Sequence, residues 1–523
     1  MNKSILPFFI FLISYFIFSS NIGGISIYSL DEAKNASCAR EMMERGDYIV
    51  PTFNYELRTD KPPMHYYFMI IAYKLFGVSE FSARFFSSVF GALTVLITFL
   101  FSRRFFGEKV AFYSSLVLIS SLHTALQFHM AVPDPYLIFY ITLTLFSFYT
   151  GFTERNDKFI YLSYLSMGLG VLTKGPVAVV LPAIIVLSFM VYKKSLNLET
   201  IKFLKPIRGT ILLLAVALPW YIAVTIKTNG QWTYEFIFKH NLSRFSEPME
   251  GHGGLFILTF LFVFFGLLPF SIYVIQTFIS GWKNRFKSDF LVFLIFIVVI
   301  YVGFFSISKT KLPNYTTPVY PSFAVLLGYF MWKMKFIDLK KYKVVWSLVF
   351  YIFITVLTIV GVYFGLKSEP VLSHLTYLSY FFIILTIGGI FAVLFYLKKD
   401  SSKINFSLSS TSIAMIFLFF YFLFPKIDRQ NPVMVMLPLI DKTKPVVAYK
   451  AFNPAFAFYL RKPIKKFHNV SNLVKFLKED KIYILTRKKY LKDIQGIKGV
   501  KILKERRDLF EKTTSVLLVY RKG

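Results

Sequence analysis

Long apolar stretches separated by short polar segments dominate most of the chain. From the start to about residue 425, apolar runs recur that are about 18 to 25 residues long, enough to cross a membrane core of roughly 30 Å as helices. We predict about thirteen spans, at residues 7–28, 80–102, 109–129, 135–152, 159–173, 176–192, 209–226, 255–277, 290–307, 316–332, 344–366, 376–397 and 408–425. The pattern indicates a polytopic α-helical membrane protein.

The segments between the spans alternate in charge. One set is short and rich in Lys and Arg, as in "SRRFFGEK", "GWKNRFK" and "KKDSSK", and the positive-inside rule assigns it to the cytoplasm. The opposite set then faces outward, and its largest members are residues 29–79 and 227–254. The N-terminal run could be a signal peptide, but it has no small-residue cleavage site, so we predict an uncleaved first helix.

The first outward loop is predicted to contain two short helices at the membrane surface. "DEAKNASCAREMMER" has one apolar face and one polar face, which is typical of an interfacial helix. The polar face holds Lys34, Glu41 and Arg45. A second helix, in "MHYYFMIIAYKLFG", is too short to span, and its Tyr66, Tyr67 and Tyr73 suit the interface.

After residue 425 the composition changes. Short β-type runs such as "PVVAYK", "KIYILT" and "VLLVY" alternate with a helical pattern near "NLVKFLKED". We therefore predict a transmembrane domain over residues 1–425 and a small extracytoplasmic α/β domain over residues 426–523. The latter contains 24 Lys and Arg against 8 Asp and Glu, which suits anionic lipid or glycolipid neighbours, or is simply a solvated basic surface.

Composition narrows the function classes. The hydrophobic content is 55%, which excludes an ordinary water-soluble enzyme. The net charge of +32 could indicate nucleic acid, but the basic residues cluster beside the spans, where topology and anionic lipids explain them. We therefore expect no nucleic-acid partner. The single cysteine, Cys38, argues against internal disulfides and cysteine-ligated zinc.

Acids and bases that could perform chemistry gather in the outward segments. They are Asp31, Asp60, Lys61, Asp134, Lys174, His240, Arg244, Lys309, Lys311 and Tyr315. Several have purely structural explanations: Asp134 in "VPDPY" suits an N-cap with Pro135 at the first helical position. Lys174 could be an interface anchor and His240 a polar loop residue.

The pair Asp31 and Glu32 begins the first of the two short helices. "SLDE" matches a capping box, in which Ser29 caps the helix and Glu32 bonds back to the Ser29 amide. This pattern explains Glu32 without any function. Asp31 has no comparable explanation, because an acid in the first turn gains typically about 1 kcal/mol or less from the helix dipole.

Several motifs in order resemble a known family. The stretch from "LDEAKNASCAREMMERGDYIVPTF" through "TDKPPMHYY", then "LTKGPVAVVLP", "FIFKHNLSRF" and "SKTKLPNYTTPVYPSFAVLLGY", is similar to membrane glycosyltransferases of the GT-C fold. The closest resemblance is to bacterial aminoarabinose transferases that modify lipid A, relatives of the protein O-mannosyltransferases. It covers about residues 1–330, and the remaining spans and tail match only in general plan.

The resemblance implies a transferase that takes a sugar from a polyprenyl-phosphate donor, with no nucleotide, on the outer face of the cytoplasmic (inner) membrane. It assigns the essential aspartate to Asp31. The motif residues are assigned to Asp60 and Lys61, to Lys174, to His240 and to Tyr315. In the aminoarabinose transferases a Glu usually stands where this chain has Asp60, and that acid and the histidine can hold a divalent metal (Zn, Mg or Mn).

The residue types fit such a transfer on chemical grounds. Fixed cations stabilise the phosphate that departs with the lipid, and Lys61, Lys174 and Arg244 are candidates to bind it. Tyr315 is a further candidate for binding the donor phosphate. If the acceptor is a hydroxyl, Asp31 would act as general base in an inverting displacement. If the acceptor is a phosphate, as on lipid A, it is already ionised and Asp31 would orient the reactants. Lys309 and Lys311 are further candidates.

Three other functions compete with an aminoarabinose transferase that acts on lipid A. The first is a mannosyl-type or other transferase acting on protein, glycolipid or polysaccharide. The second is a lipid or solute transporter, although transporters place charges near the midplane and often show internal repeats, and here the polar residues lie at one membrane edge. The third is a non-catalytic structural membrane protein.

Overall fold

The computed structural model describes residues 5–242, 254–477 and 481–522, and it is mainly helical. The helices are α1 (Leu6–Phe18), α2 (Leu30–Arg45), α3 (Met64–Phe76), α4 (Glu80–Phe106), α5 (Glu108–Ile119), α6 (Leu122–Phe128), α7 (Asp134–Glu154), α8 (Asp157–Lys174), α9 (Val177–Tyr192), α10 (Leu198–Leu204), α11 (Pro206–Lys227), α12 (Gln231–Tyr234), α13 (Ile257–Gly266), α14 (Val274–Lys283), α15 (Asp289–Ile307), α16 (Tyr320–Lys333), α17 (Val344–Ser368), α18 (Ile383–Leu397), α19 (Ser401–Leu418), α20 (Phe424–Asp428), α21 (Pro432–Met436), α22 (Ala455–Leu460), α23 (Val470–Phe476) and α24 (Leu491–Ile494).

Among the described residues, seven short segments adopt 3-10 or π-helical geometry. They are Glu235–Leu242, Phe270–Tyr273, Pro313–Val319, Ser373–Phe382, Phe419–Leu423, Leu437–Leu439 and Lys488–Tyr490. The strands are β1 (Thr52–Phe53), β2 (Glu56–Leu57), β3 (Val446–Tyr449), β4 (Lys465–Phe467), β5 (Lys481–Arg487), β6 (Val500–Arg507) and β7 (Thr514–Arg521).

The multi-pass helical plan predicted from the sequence is confirmed. Within the described ranges, 7 helices are long and apolar enough to cross a membrane, and the number rises to 9 if each of two bent pairs is one span. These pairs are α5 with α6, bent by 72°, and α13 with the helical segment 270–283, bent by 119°. Every predicted span overlaps a helix, but the count of thirteen stays a prediction because several helices are too short or too polar to meet the same criteria.

The first helix is shorter than predicted. It ends at Phe18 rather than near residue 28, and Asn21 adopts a left-handed conformation with φ of 54° before two glycines. Backbone carbonyls that a longer helix would pair internally accept hydrogen bonds from the Arg84 guanidinium instead. They belong to Ile22, Ile25 and Ser26, at 2.8, 2.6 and 2.9 Å. The predicted end was wrong because this arginine, 58 to 62 residues away in sequence, provides the hydrogen bonds that an irregular backbone needs.

The helix α2 is more deeply buried in protein than the predicted interfacial helix would be. Protein surrounds it on most sides, and Glu41, assigned to the polar face, is fully buried. The Glu41 carboxylate accepts hydrogen bonds from the Thr52 hydroxyl at 2.8 Å and from the amides of Asn54 and Tyr55 at 2.8 and 2.9 Å. The loop that follows the helix thus covers the predicted polar face at Glu41, where the prediction was wrong, whereas Lys34 is half-buried and Arg45 is exposed.

The helix α3 corresponds to the second predicted short helix. Its Tyr66 and Tyr73 are buried in protein rather than placed at a lipid interface, and Tyr73 donates a hydrogen bond to the Ala36 carbonyl at 3.1 Å. The tyrosines therefore pack α3 against α2. The interfacial role predicted for these two side chains was wrong because α2 supplies an apolar protein surface there.

A five-stranded sheet forms the last part of the chain, in the order β4-β3-β5-β7-β6. The strand β3 pairs in parallel with β4 and β5, and β7 pairs antiparallel with β5 and β6. The small C-terminal α/β region predicted from the sequence is therefore present. The exact boundary at residues 425 and 426 stays a prediction.

The C-terminal region shares one hydrophobic core with α2 and α3. Side chains of α2 pack in this core with Phe456 of α22 and with Leu485 and Leu517 of the sheet. Hydrogen bonds join the same parts: the Asn54 side chain bonds both to the Ile464 carbonyl and to the Ile464 amide, at 2.9 and 2.8 Å. The last hundred residues thus hold the first loop in place.

Candidate active site

Two neighbouring cavities lie at one end of the helical bundle and share three residues. The larger has a volume of about 320 Å³ and the smaller about 240 Å³. Lys61, Lys174 and Tyr315 line both of them. The structure therefore brings together three residues that the sequence assigned to donor binding, from three separate segments of the chain.

The larger cavity is mainly apolar. Side chains of α7, α9 and α15 line it, including Leu137, Val180 and Phe304. Its polar lining consists of Asp60, His240, Tyr301 and Ser308, together with the three residues that it shares with the smaller cavity. A cavity with an apolar body and a charged end suits a lipid that carries a charged headgroup.

The smaller cavity contains Asp31 together with Asp134, His123, Gln127 and Asn314. Asp31 lies in the first turn of α2, and its side chain is exposed to the cavity. Within residues 5–242, 254–477 and 481–522, the Asp31 carboxylate forms no hydrogen bond or ion pair with another side chain. It is therefore available to a bound molecule.

Lys174 is held between an acid and an aromatic ring. Its ammonium donates to the Asp134 carboxylate at 2.7 Å and lies 5.2 Å from the centre of the Tyr315 ring. Asn314 also donates to Asp134, at 3.1 Å. Lys174 is the last residue of α8, and Gly175 after it has a φ of +79°, which allows the tight turn into α9.

The capping role suggested for Asp134 was wrong. Asp134 is the first residue of α7, Pro133 is the N-cap, and the Asp134 side chain makes no cap hydrogen bond. Its carboxylate instead forms an ion pair with the Lys174 ammonium, whose side chain is 16% exposed. The reason is electrostatic, since a partly desolvated cation gains more from a carboxylate than the helix end does.

Asp60 forms an ion pair with Arg58, which stands two residues before it in the chain. Arg58 donates from Nε to Oδ1 at 2.5 Å and from Nη2 to Oδ2 at 3.0 Å, in a two-pronged geometry. Burial alone would raise the pKa of Asp60, but the Arg58 charge and its hydrogen bonds hold that pKa well below its usual range, with smaller effects of Lys61 and His240. Asp60 is therefore ionised at neutral pH.

The two predicted outward loops meet at this point. The indole N–H of Trp232 donates to the Arg58 carbonyl at 2.9 Å, and the Thr59 hydroxyl donates to the Glu235 carboxylate at 2.8 Å. The Thr59 hydroxyl also lies 3.3 Å from His240 Nε2. These hydrogen bonds to Arg58 and Thr59 fix the backbone that leads to Lys61.

The capping box predicted for Ser29 and Glu32 is wrong. Ser29 is the N-cap of α2, but its side chain makes no cap hydrogen bond. Glu32 is turned inward, where its carboxylate accepts from Arg84 at 2.7 and 2.9 Å and from the Ala131 amide at 2.9 Å. A buried arginine offers Glu32 charge-assisted bonds that are stronger than the cap bond.

Two other candidates, Lys309 and Lys311, lie outside this arrangement. Lys309 is exposed and lines neither cavity. Lys311 is buried, and its ammonium donates to the Ser306 and Ser308 carbonyls at 2.8 Å each, so it satisfies the end of α15. Arg244 lies outside the described residues.

Sequence reasoning missed several residues of the site. Asn314 had a signal, because it stands beside Tyr315 in "KTKLPNY", and Arg58 stands two residues before Asp60. His123 and Gln127 had none, since they lie inside an apolar run that predicts only a span. In the structure, α6 places both on the wall of the smaller cavity.

The residues present do not fit the metal predicted at Asp60 and His240. Both line the larger cavity, but each oxygen of Asp60 already accepts a hydrogen bond from the Arg58 cation. In the described part of the chain, no three His, Cys, Asp or Glu side chains form a group that could hold a metal ion. Catalytic zinc sites use three protein ligands. The metal remains an untested prediction, and no chemical step below depends on it.

Comparisons with known proteins agree with this architecture. Residues 60–222 match the dolichyl-phosphate-mannose-protein mannosyltransferase family. An uncharacterized protein of Aquifex aeolicus (strain VF5) is 31% identical over 408 residues, which cover 76% of this chain and 78% of that protein. The undecaprenyl phosphate-alpha-4-amino-4-deoxy-L-arabinose arabinosyl transferase of Photorhabdus laumondii is 29% identical over 61% of this chain, and the match spans 58% of that enzyme's length.

The fold is similar to that of a solved structure over nearly the whole chain. The crystal structure of ArnT from Cupriavidus metallidurans bound to undecaprenyl phosphate superimposes with a TM-score of 0.81 at 18% identity. The superposition covers 98% of this chain and 97% of that one. The matched family and the named relative are glycosyltransferases, so an enzyme is favoured over the transporter and the structural protein considered from the sequence. The chain belongs to the GT-C-fold membrane glycosyltransferases of the aminoarabinose transferase type, a class of enzymes that use polyprenyl-phosphate-linked sugar donors.

Proposed function

We propose that this glycosyltransferase moves a sugar from an undecaprenyl-phosphate-linked donor to lipid A or a related envelope acceptor, by inverting displacement. The proposed sugar is an aminoarabinose-type pentose, because a relative at 29% identity bears that name. We also propose that the protein lies in the inner membrane with its site on the periplasmic side. The Lys- and Arg-rich segments opposite the site support that orientation.

The junction of the two cavities is the observation that supports this proposal most. The larger cavity is apolar and suits a polyprenyl chain, and the smaller is polar and suits a sugar with its acceptor. A phosphate that joins the lipid to the sugar would lie between them. Lys61 and Lys174 stand at that junction and provide the positive charge that a phosphate requires.

The cations at the junction would also serve the chemical step. When the bond between the sugar carbon and the phosphate oxygen breaks, the departing phosphate gains negative charge. Ammonium groups fixed beside that oxygen stabilise the transition state more than the ground state. Asp134 and the Tyr315 ring hold Lys174 in one place, so little reorganisation is needed when the charge develops.

Asp31 would act from the smaller cavity, which Lys61 and Lys174 also line. For a hydroxyl acceptor, its carboxylate would take the proton as the acceptor oxygen attacks the sugar carbon. For a phosphate acceptor there is no proton to remove, and Asp31 would orient the reacting groups instead. In both cases the position of Asp31 in the same cavity as Lys61 and Lys174 supports its role.

A mannosyl-type transfer to protein or polysaccharide is the second candidate. The match of residues 60–222 to the dolichyl-phosphate-mannose-protein mannosyltransferase family supports it. The two candidates share the donor lipid phosphate and the junction that would bind it. They differ in the sugar and in the acceptor, so an analysis of cellular products separates them.

The catalytic assignment is tested with Asp31→Asn, assayed in membranes with a polyprenyl-phosphate sugar donor. We expect transfer to fall by roughly 100- to 10,000-fold if Asp31 is the base. Glu56→Gln is the matched control, because Glu56 is an exposed acid of β2 in the same loop, and we expect it to be as active as wild type. Equal activity of Asp31→Asn and wild type, at equal expression, overturns the role of Asp31.

The acceptor is tested by mass spectrometry of lipid A and envelope glycoproteins from cells with and without the protein. We expect lipid A to gain the mass of an aminopentose only when the protein is present. Unchanged lipid A together with altered glycoproteins would overturn the first acceptor and support the second candidate.

A further inference from the structure

The Arg58 side chain is buried beside the junction of the two cavities, with about 6% of its surface exposed. Its guanidinium binds both oxygens of the Asp60 carboxylate, one at 2.5 Å and one at 3.0 Å. A planar guanidinium matches a carboxylate in this way and stays protonated at any physiological pH. The pair is thus a fixed cation and a fixed anion in direct contact.

The backbone on both sides of Asp60 is also fixed. The Trp232 indole N–H donates a hydrogen bond to the Arg58 carbonyl at 2.9 Å, and the Thr59 hydroxyl donates to the Glu235 carboxylate at 2.8 Å. Lys61 follows immediately and lines both cavities. Any change in the charge of Asp60 would therefore be felt by the lysine placed for the donor phosphate.

Without a counter-ion, the Asp60 carboxylate would reduce the positive potential that Lys61 offers. A divalent cation bound to Asp60 would remove this effect, and so does Arg58. Arg58 and a divalent cation exclude each other at Asp60. A cation bound to Asp60 would lie within a few ångströms of the buried guanidinium, and like charges repel strongly where little water is present. Arg58 already occupies both oxygens.

We propose that Arg58 is a built-in cation that takes the place of a divalent metal at Asp60, so that sugar transfer by this enzyme requires no metal ion. The inference rests on the proposed function, since it concerns the same site. Arg58 acts through Asp60 and Lys61 and is a positioning residue rather than a catalytic one. Its charge compensates the Asp60 carboxylate directly beside Lys61.

The first test uses the wild-type full-length protein in detergent. After treatment with a chelator, we expect a metal content far below one ion per chain by plasma mass spectrometry, and an unchanged rate of transfer. One retained ion per chain, or a transfer rate that falls on chelation and returns with Zn²⁺ or Mn²⁺, would overturn the proposal. This measurement needs no variant and therefore cannot fail through misfolding.

The second test uses Arg58→Met, which keeps the length of the side chain but removes the charge. We expect transfer to fall roughly 10- to 100-fold, as when a group that orients a charged site is lost. We also expect the variant to bind Mn²⁺ or Zn²⁺ more tightly than wild type in titration calorimetry, because Asp60 is released. Arg58→Met that transfers as fast as wild type without metal would refute the positioning role.

Two further variants separate charge from shape. Arg58→Lys keeps the charge but loses the two-pronged bond, and we expect intermediate activity that is still independent of metal. The double variant Arg58→Met/Asp60→Asn lacks the released carboxylate, and we expect it to lose the gain in metal binding. If it binds metal as Arg58→Met does, Asp60 is not the ligand and the proposal is refuted.

Failure of the inference and failure of the proposed function give different results. Metal content and metal binding are measured without any sugar donor. A metal-free, folded protein that transfers no sugar from any polyprenyl-phosphate donor would contradict the proposed function alone. A protein that transfers sugar only when it holds metal would contradict the inference alone.

Discussion

The strongest test of the fold concerns the buried ion pair between Arg84 and Glu32. Arg84 lies on α4 and Glu32 on α2, and their side chains are only 5% and 4% exposed. Arg84 also donates to backbone carbonyls between α1 and α2, and Glu32 accepts from the Ala131 amide, just before α7. The pair therefore links four parts of the chain around Asp31.

We expect Arg84→Met to lower the free energy of unfolding by about 3–5 kcal/mol, the range for removing one partner of a buried pair. The cost arises because Glu32 remains as an uncompensated charge and three carbonyls lose their donors. Replacing Glu32 as well, in Arg84→Met/Glu32→Gln, removes the stranded charge. The double variant should therefore be more stable than Arg84→Met alone.

Stability is measured in detergent micelles by titration with SDS, followed by tryptophan fluorescence. Arg104→Met is the matched control, because Arg104 pairs with Glu154 at the surface, where the two side chains are 44% and 30% exposed. Such a pair contributes about 1 kcal/mol or less. The reasoning is wrong if Arg84→Met and Arg104→Met lose equal stability, since burial would then make no difference.

Two more predictions follow from the site. Arg58 lowers the pKa of Asp60 in the folded protein. The ionised carboxylate therefore stabilises the fold at any pH above 3.8, the ordinary pKa of an aspartate, and this contribution is lost progressively as the pH falls below 3.8. Asp60→Asn should thus unfold at a lower temperature than wild type at neutral pH, and the difference should shrink below about pH 4 in thermal scans; a constant difference would contradict this. Tyr315→Leu should raise the KM for the donor by up to about tenfold, because the Lys174 ammonium loses its ring. Tyr315→Phe keeps a ring and should resemble wild type, and equal effects of the two changes would refute a role of the ring.

Much of the site could be predicted because its residues stand in polar segments at the ends of apolar runs of the sequence. Asp31, Lys61, Asp134, Lys174 and Tyr315 meet in the smaller cavity for that reason. The charge pattern of the connecting segments is enough to group these residues together, and no knowledge of how the helices pack is needed.

What could not be predicted depends on partners distant in sequence. "SLDE" is a good local capping pattern, yet Glu32 bonds to Arg84, 52 residues away. Glu41 lies on the polar face of a helix that looks interfacial, yet loop backbone amides enclose it. A local pattern reports which groups need partners, but it does not report which distant segment provides them.

The shared core of α2 and the C-terminal region sets an order of events during synthesis. The Arg40 guanidinium bonds to the Ala457 carbonyl, 417 residues later in the chain. At ordinary translation rates of about 5–20 residues per second, roughly 20–80 s pass between the appearance of the two partners. During that interval the helix with Asp31 lacks its packing surface, so a nascent or prematurely ended chain would occupy the membrane without a working site. Catalysis would begin only after the last strands had been made and folded against α2.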